Sequence, residues 1–222
     1  MDDITLVIPA KNEAESLPEV LDELLKYRIK KIIVIPTEDK KTREVIEKFD
    51  CKILSQEGKG FGNALIQGIN SVETKYFCIF NADGSFNPIY LDELRNKIQL
   101  NQDFVFCSRY EVGGGSEDDT ILTYIGNKFF TGLCNLLFGL KITDVLFTYV
   151  MGSTKAFKEL NMSFNDFSFC VELPIKAKKK NYILGNLPSI ERSRIAGEKK
   201  VNEFRDGFLI LMSILKLLIL KK

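Results

Sequence analysis

Five short apolar runs alternate with helix-patterned stretches through the first half of the chain, at residues 4–8, 32–35, 52–54, 76–80 and 104–107. Runs of that length without a polar face read as strands covered on both sides. Between them, Leu17, Val20, Leu21, Leu24 and Leu25 follow one helical stripe. Asn12 stands three residues before Glu15, a candidate capping pair for that helix. Residues 42–49, 62–70 and 89–100 predict three more helices, the last opened by Pro88. This alternation with short loops predicts an α/β fold, a mostly parallel sheet with helices on both faces. Ligands of such sheets sit beyond the carboxyl ends of the strands. Residues 9–12, 36–39, 58–62 and 81–85 all fall at that edge.

Composition removes several classes of chemistry. The chain has no histidine, which excludes a histidine triad, a histidine zinc site and a histidine general base. Carboxylates, amides, hydroxyls, Lys and Arg must do any acid–base or metal work. A net charge of +1 argues against a dedicated nucleic-acid binder. The five cysteines are scattered, mostly inside apolar runs and without a CxxC pair, so reduced core thiols in a cytoplasmic protein are expected. The start, MDDITLVIPAKNEAE, lacks the basic and apolar regions of a secretory signal. The 222 residues suit one domain, or one with appendages.

The second half is less regular. Residues 113–119, GGGSEDD, read as a flexible polar loop. Residues 121–140 are long and apolar, yet they carry Asn127, Lys128 and Asn135, which favours a helix packed on the sheet over a transmembrane span. Residues 207–220 are almost wholly apolar except Ser213 and Lys216, with Lys221 and Lys222 following. Two readings of that tail stand: a helix lying on a bilayer surface, or one docked on the protein's own core.

Three polar clusters carry potential chemistry, each with a plainer alternative. In Asn81-Ala82-Asp83-Gly84-Ser85, a carboxylate at a strand's end suits a hard divalent cation shared with substrate phosphates, but Asp-Gly-Ser is also a common turn. Gly58-Lys59-Gly60-Phe61-Gly62 joins a strand to a helix, where glycines and a helix N-terminus favour anions, or else form only a tight connection. Residues 190–200, IERSRIAGEKK, hold Arg192, Arg194, Lys199 and Lys200, either phosphate-gripping forks or a solvated charge run. Arg109 directly follows the fifth apolar run, at the ligand-bearing edge.

The order of these pieces is more specific than any one of them. TLVIPAKNEAESLPEVL, GKGFGNALIQGI, a strand ending in NADGS, SRYEVGGG, DVLFT and FCVELPIKAKKKNYILGNLPSIERSRIAGEKK together resemble the family-2 glycosyltransferases of GT-A fold. The series is most similar to the dolichyl- or polyprenyl-phosphate mannose or glucose synthase branch, over residues 4–201. The resemblance implies one GT-A domain at 1–202, with a nucleotide-sugar half at 1–108 and an acceptor half at 109–202. Residues 203–222 follow as an amphipathic membrane-surface or docking helix. By the same resemblance, Pro9, Ala10, Asn12, Glu13, Lys59 and Gly60 would bind the donor. Asn81 and Asp83 would hold Mg²⁺ or Mn²⁺ and the donor diphosphate. Arg109, Arg194 and Lys200 would take the diphosphate or the acceptor phosphate. Asp83, Arg109 and Arg194 are the implied catalytic set. Glu172 matches the family's acidic residue in Phe-x-x-Glu-Leu.

Departures from the pattern are specific. Ile35-Pro36-Thr37-Glu38-Asp39 replaces the usual Asp-Asp-Gly-Ser, so the ribose contact is moved or lost. Asn81 removes one negative charge from the metal loop, Ser85 replaces a Gln, Lys199 replaces a Ser, and Thr148-Tyr149-Val150 stands where Ser/Gly-Phe-Arg is usual. The resulting expectation is inverting, metal-assisted hexose transfer from a GDP- or UDP-sugar to a polyprenyl phosphate. The protein would be peripheral on the cytoplasmic membrane face, held through residues 204–222. An ionised phosphate needs no general base, which suits a chain without histidine. The alternatives are transfer to a glycan or glycolipid hydroxyl, with Asp144 or Glu172 as base, and a non-catalytic nucleotide- or membrane-binding homologue.

Overall fold

The computed structural model describes residues 1–197 and 202–219. The strands are β1 (Ile4–Pro9), β2 (Lys30–Pro36), β3 (Lys52–Gln56), β4 (Tyr76–Ile79), β5 (Phe104–Ser108), β6 (Gly115–Ser116), β7 (Val150–Ser153), β8 (Leu184–Pro188) and β9 (Ile190–Glu191). The α-helices are α1 (Leu17–Glu23), α2 (Lys40–Ile46), α3 (Phe61–Asn70), α4 (Leu91–Gln99), α5 (Ile121–Phe138), α6 (Thr154–Glu159), α7 (Phe169–Lys179) and α8 (Glu203–Ile219). The main sheet runs β3-β2-β1-β4-β7-β5-β8, and β6 pairs with β9 in a small second sheet. Strands β3, β2, β1 and β4 are parallel, as are β5 and β8, while β7 runs antiparallel between β4 and β5.

Strand pleating sends alternate residues to opposite faces, and both are covered. Val7, Val34, Phe77 and Phe104 pack beneath α3, α6 and α7, whereas Leu6, Ile8, Ile33, Cys78 and Met151 pack beneath α1 and α4. Each fully buried side chain of this size contributes about 1.5–3 kcal/mol. Four cysteines are buried, Cys51 is half-buried, and all five are free thiols.

The mostly parallel sheet flanked by helices matches the expected fold class. Several local expectations change. β3 is an edge strand and half-exposed, because only β2 pairs with it. Asn12 and Glu15 do not cap α1: the helix starts at Leu17, and Asn12 takes a left-handed φ of 55° while its amide donates to Asp39 Oδ2 at 2.6 Å. Strand β7 gives no apolar run long enough to stand out. Its Gly152 pairs with Phe77 and Phe104, whose rings fill the space a side chain would need; a Cβ there would lie 2.6 Å from Phe104 Cδ1. The 113–119 segment is tied down rather than loose, since Glu191 Oε2 accepts the Ser116 hydroxyl at 2.6 Å and the Glu117 amide reaches the Glu191 carbonyl.

Among the described residues no helix is long and apolar enough to cross a membrane. Helix α8 packs on α5 and α7 through Ile210, Ile214 and Leu217. Its opposite face is also apolar: Phe204, Phe208, Met212, Leu215 and Leu218 are exposed. Helix α8 thus buries one apolar face and exposes another, and residues 220–222 of the tail lie outside the described residues.

Candidate active site

One cleft of about 1330 Å³ opens at the carboxyl edge of the sheet, as the parallel topology dictates. Its lining includes Pro9, Ala10, Asn12, Glu13, Lys59, Gly60, Asn81, Asp83, Arg109 and Arg194. These donor, metal and phosphate candidates thus face the same space, although more than 180 positions separate the first from the last. Lys199 and Lys200 lie outside the described residues.

The first wall comes from the ends of β1 and β2 and the start of α3. Asp39 caps α2 by accepting the Thr42 amide at 3.2 Å, and it also holds the Asn12 amide, which fixes the turn after β1. Glu13 accepts the Ser16 hydroxyl at 2.8 Å, and its amide donates to the Thr42 hydroxyl. Of the two acids in Ile35-Pro36-Thr37-Glu38-Asp39, Asp39 is therefore a structural cap, and Glu38 lines the cleft. At α3, Gly60 has φ 101° and, like Gly62, gives its missing side-chain volume to protein. Cβ atoms there would lie 2.1 Å and 2.2 Å from the carbonyl oxygens of Asn165 and Phe164. The 163–167 loop packs against that helix end, where Phe167 stacks on Phe61 at 5.0 Å.

Glu172 explains why that loop stays in place. Its carboxylate is fully buried and accepts the amides of Ser163 and Phe164 and the Ser163 hydroxyl, with Lys176 Nζ 2.6 Å away. Asp144, also fully buried, is bound to Arg109 through Nε at 2.7 Å and Nη2 at 3.1 Å. Neither carboxylate lines the cleft, so neither is placed to serve as the base considered for a hydroxyl acceptor.

The acidic loop after β4 is held from within. Asp83 Oδ1 accepts the Ser85 amide at 3.0 Å, Asn81 Oδ1 accepts the Phe86 amide at 3.1 Å, and Asn81 Nδ2 bonds the Ser85 hydroxyl. Asn81 is thus a loop fastener as well as a cleft residue. Asp83 Oδ2 faces Arg194 Nε at 3.6 Å, and that nitrogen, though buried, makes no hydrogen bond. Arg194 Nη2 reaches Asp118 Oδ2 at 2.6 Å.

Arg109 is more enclosed than the sequence suggested. Asp144, Asp119 and Glu191 surround its guanidinium, which also stacks over the Phe147 ring at 4.6 Å. Burial alone lowers its pKa, but Asp144 and Glu191 reverse that and keep the cation charged. Burial pushes the carboxyls of Asp144 and Glu191 upward, outweighing the pull of Arg109. Burial also lifts the cleft-lining Cys170 thiol to about 12, too high for a thiolate nucleophile. Around the two arginines stand five carboxylates: Asp83, Asp118, Asp119, Asp144 and Glu191. That excess of negative charge favours a divalent cation. The donor set fits one that brings phosphate ligands with it: a lone carboxylate oxygen at Asp83, free of hydrogen bonds, beside a guanidinium.

Sequence reasoning missed Asp118, Asp119 and Glu191 as cleft residues. Their signal was the acidic run in GGGSEDD, whose partners lie at positions 109, 191 and 194. Arg192, grouped with the phosphate-gripping forks, does not line the cleft. It pairs with Glu23 through two 2.9 Å bonds.

A model of glycosyl transferase family 2 matches residues 5–161. The dolichyl-phosphate hexose transferase of Haloferax volcanii is 24% identical over 218 residues, spanning 97% of this chain and 93% of that one. Glycosyltransferase AglJ of the same organism is 20% identical, across 96% of this chain and 71% of its own. Among solved structures, glucosyl-3-phosphoglycerate synthase from Mycobacterium tuberculosis in complex with Mn²⁺, UDP and phosphoglyceric acid aligns with a TM-score of 0.77. It is 13% identical and covers 100% of this chain and 80% of that one. A complex of the same enzyme with Mg²⁺ and UDP gives 0.76 at 14% identity, covering 100% and 81%. At such identities the likeness is one of fold, the GT-A architecture.

Proposed function

The chain belongs to glycosyl transferase family 2, and from that premise we propose that it moves a hexose from a nucleoside diphosphate sugar to a polyprenyl or dolichyl phosphate, with inversion, at a membrane surface. The observation that carries this reading is the cleft in which Asp83 faces Arg194 and whose lining includes residues of α5 and α8. Those two helices expose Ile121, Leu122, Ile125, Phe129, Phe204 and Phe208. An amphiphilic acceptor needs that combination of an anion-binding interior and an apolar rim. The full-length similarity to a dolichyl-phosphate hexose transferase supports the acceptor class.

In this reading residues 1–108 hold the donor and 109–202 the acceptor. The β1 end with Asn12 and Glu13, and the α3 start with Lys59 and Gly60, bind the nucleotide. Asp83, with Asn81 beside it, would hold Mg²⁺ or Mn²⁺, and the ion would offset charge on the departing diphosphate. Arg194 leaves Asp83 to meet phosphate oxygens, and Arg109 sets the field behind them. The acceptor phosphate is ionised at neutral pH, so no residue need remove a proton. Residues 204–222 would hold the protein on the cytoplasmic face of the membrane.

The test is transfer of label from UDP- and GDP-sugars into the lipid phase, with membranes and Mg²⁺ or Mn²⁺ present. Wild type should label lipid, and Asp83→Asn should lower turnover by about 10²–10³. Full turnover by that variant would sink the assignment.

The carboxylates around Arg109 favour one second reading, transfer to a sugar hydroxyl with Glu191 or Asp119 as base. In that case Glu191→Gln or Asp119→Asn would abolish transfer to a water-soluble glycan, and lipid phosphate would not be labelled.

A further inference from the structure

Four successive backbone carbonyls of the acidic loop are bonded by one short segment. The Ile195 amide donates to the Asp83 carbonyl at 2.9 Å, and the Arg192 amide donates to the Ser85 carbonyl at 2.9 Å. Arg192 Nε donates to the Gly84 carbonyl at 3.1 Å, and its Nη2 donates to the Phe86 carbonyl at 2.8 Å. The remaining face of that guanidinium is braced by Glu23, at the end of α1. Ile195 lies over Gly84, whose φ of 85° and lack of a Cβ permit the approach; a Cβ there would be 2.4 Å from Ile195 Cδ1. Arg192 thus works behind the loop, while Arg194, two residues on, faces the cleft in front of it.

We propose that Arg192, braced by Glu23, is a positioning residue that sets the orientation of Asp83 toward a divalent cation. A guanidinium is required because one planar fork bonds two carbonyls and one carboxylate at once, which the point charge of a lysine does not reproduce. Groups behind a metal ligand typically change metal affinity 10–100-fold when lost. The proposal rests on the reading of Asp83 as the cation's ligand.

Mn²⁺ binding to the full chain, measured by electron paramagnetic resonance with UDP or GDP present, tests both. Arg192→Lys and Glu23→Gln should each weaken Mn²⁺ binding about tenfold. The same variants should leave metal-free nucleotide affinity within twofold and speed amide exchange at Ser85, Phe86 and Ile195. Glu23→Gln keeps every Arg192 donor and leaves the brace one neutral acceptor in place of two charged ones, so it decides the matter if the lysine variant folds poorly. Asp83→Asn is measured in parallel. Loss of Mn²⁺ binding in Asp83→Asn with wild-type binding in the other two overturns the positioning role alone. Unchanged Mn²⁺ binding in Asp83→Asn overturns the reading of the loop and the clamp together.

Discussion

Arg109 shows how far a residue's role depends on partners remote in sequence. Its place after β5 was legible; its three carboxylates come from positions 119, 144 and 191 and were not. Removing one partner from a buried pair leaves an uncompensated charge, so Asp144→Asn should cost about 3–5 kcal/mol in chemical denaturation. Glu191 gives a pH prediction. Its carboxyl is raised by burial above the usual 4.5, so the folded chain holds that proton to higher pH than the unfolded chain does. Its contribution to stability therefore falls as pH rises from the ordinary value through the raised one, then levels off. Glu191→Gln removes this dependence. The stability of that variant relative to wild type should increase with pH across the same window in paired thermal melts, and a flat difference would contradict it.

At the scale of elements, the strand–helix alternation of the first half was readable because each run had one periodicity and a polar boundary. β7 was not, because four residues around Gly152 gain their meaning only when Phe77 and Phe104 close over them. The glycine-rich entry to α3 was correctly placed between strand and helix. Its glycines, however, make room for the 163–167 loop, a contact visible only in three dimensions. Gly62→Ala should accordingly destabilise by about 1–3 kcal/mol, since its Cβ would strike the Phe164 and Asp166 carbonyls. Nucleotide affinity, followed by calorimetry, should fall with it.

The whole molecule carries an unusual distribution of apolar surface. α8 is apolar on the face it buries and on the face it shows, a pattern that suits a helix with two apolar environments. Phe204→Ser with Phe208→Ser, at positions 82% and 63% exposed, should leave the melting temperature nearly unchanged. Vesicle sedimentation should weaken by at least tenfold, from about 1.5–3 kcal/mol of lost apolar transfer per ring. Equal sedimentation of variant and wild type would remove α8 from the membrane-facing surface. The bonds joining residues 192 and 195 to the Asp83 tip also have a temporal meaning. A polypeptide truncated after β8 contains every strand of the main sheet yet leaves that tip without its outer fastening. That tip is closed only by residues that follow the whole main sheet in chain order.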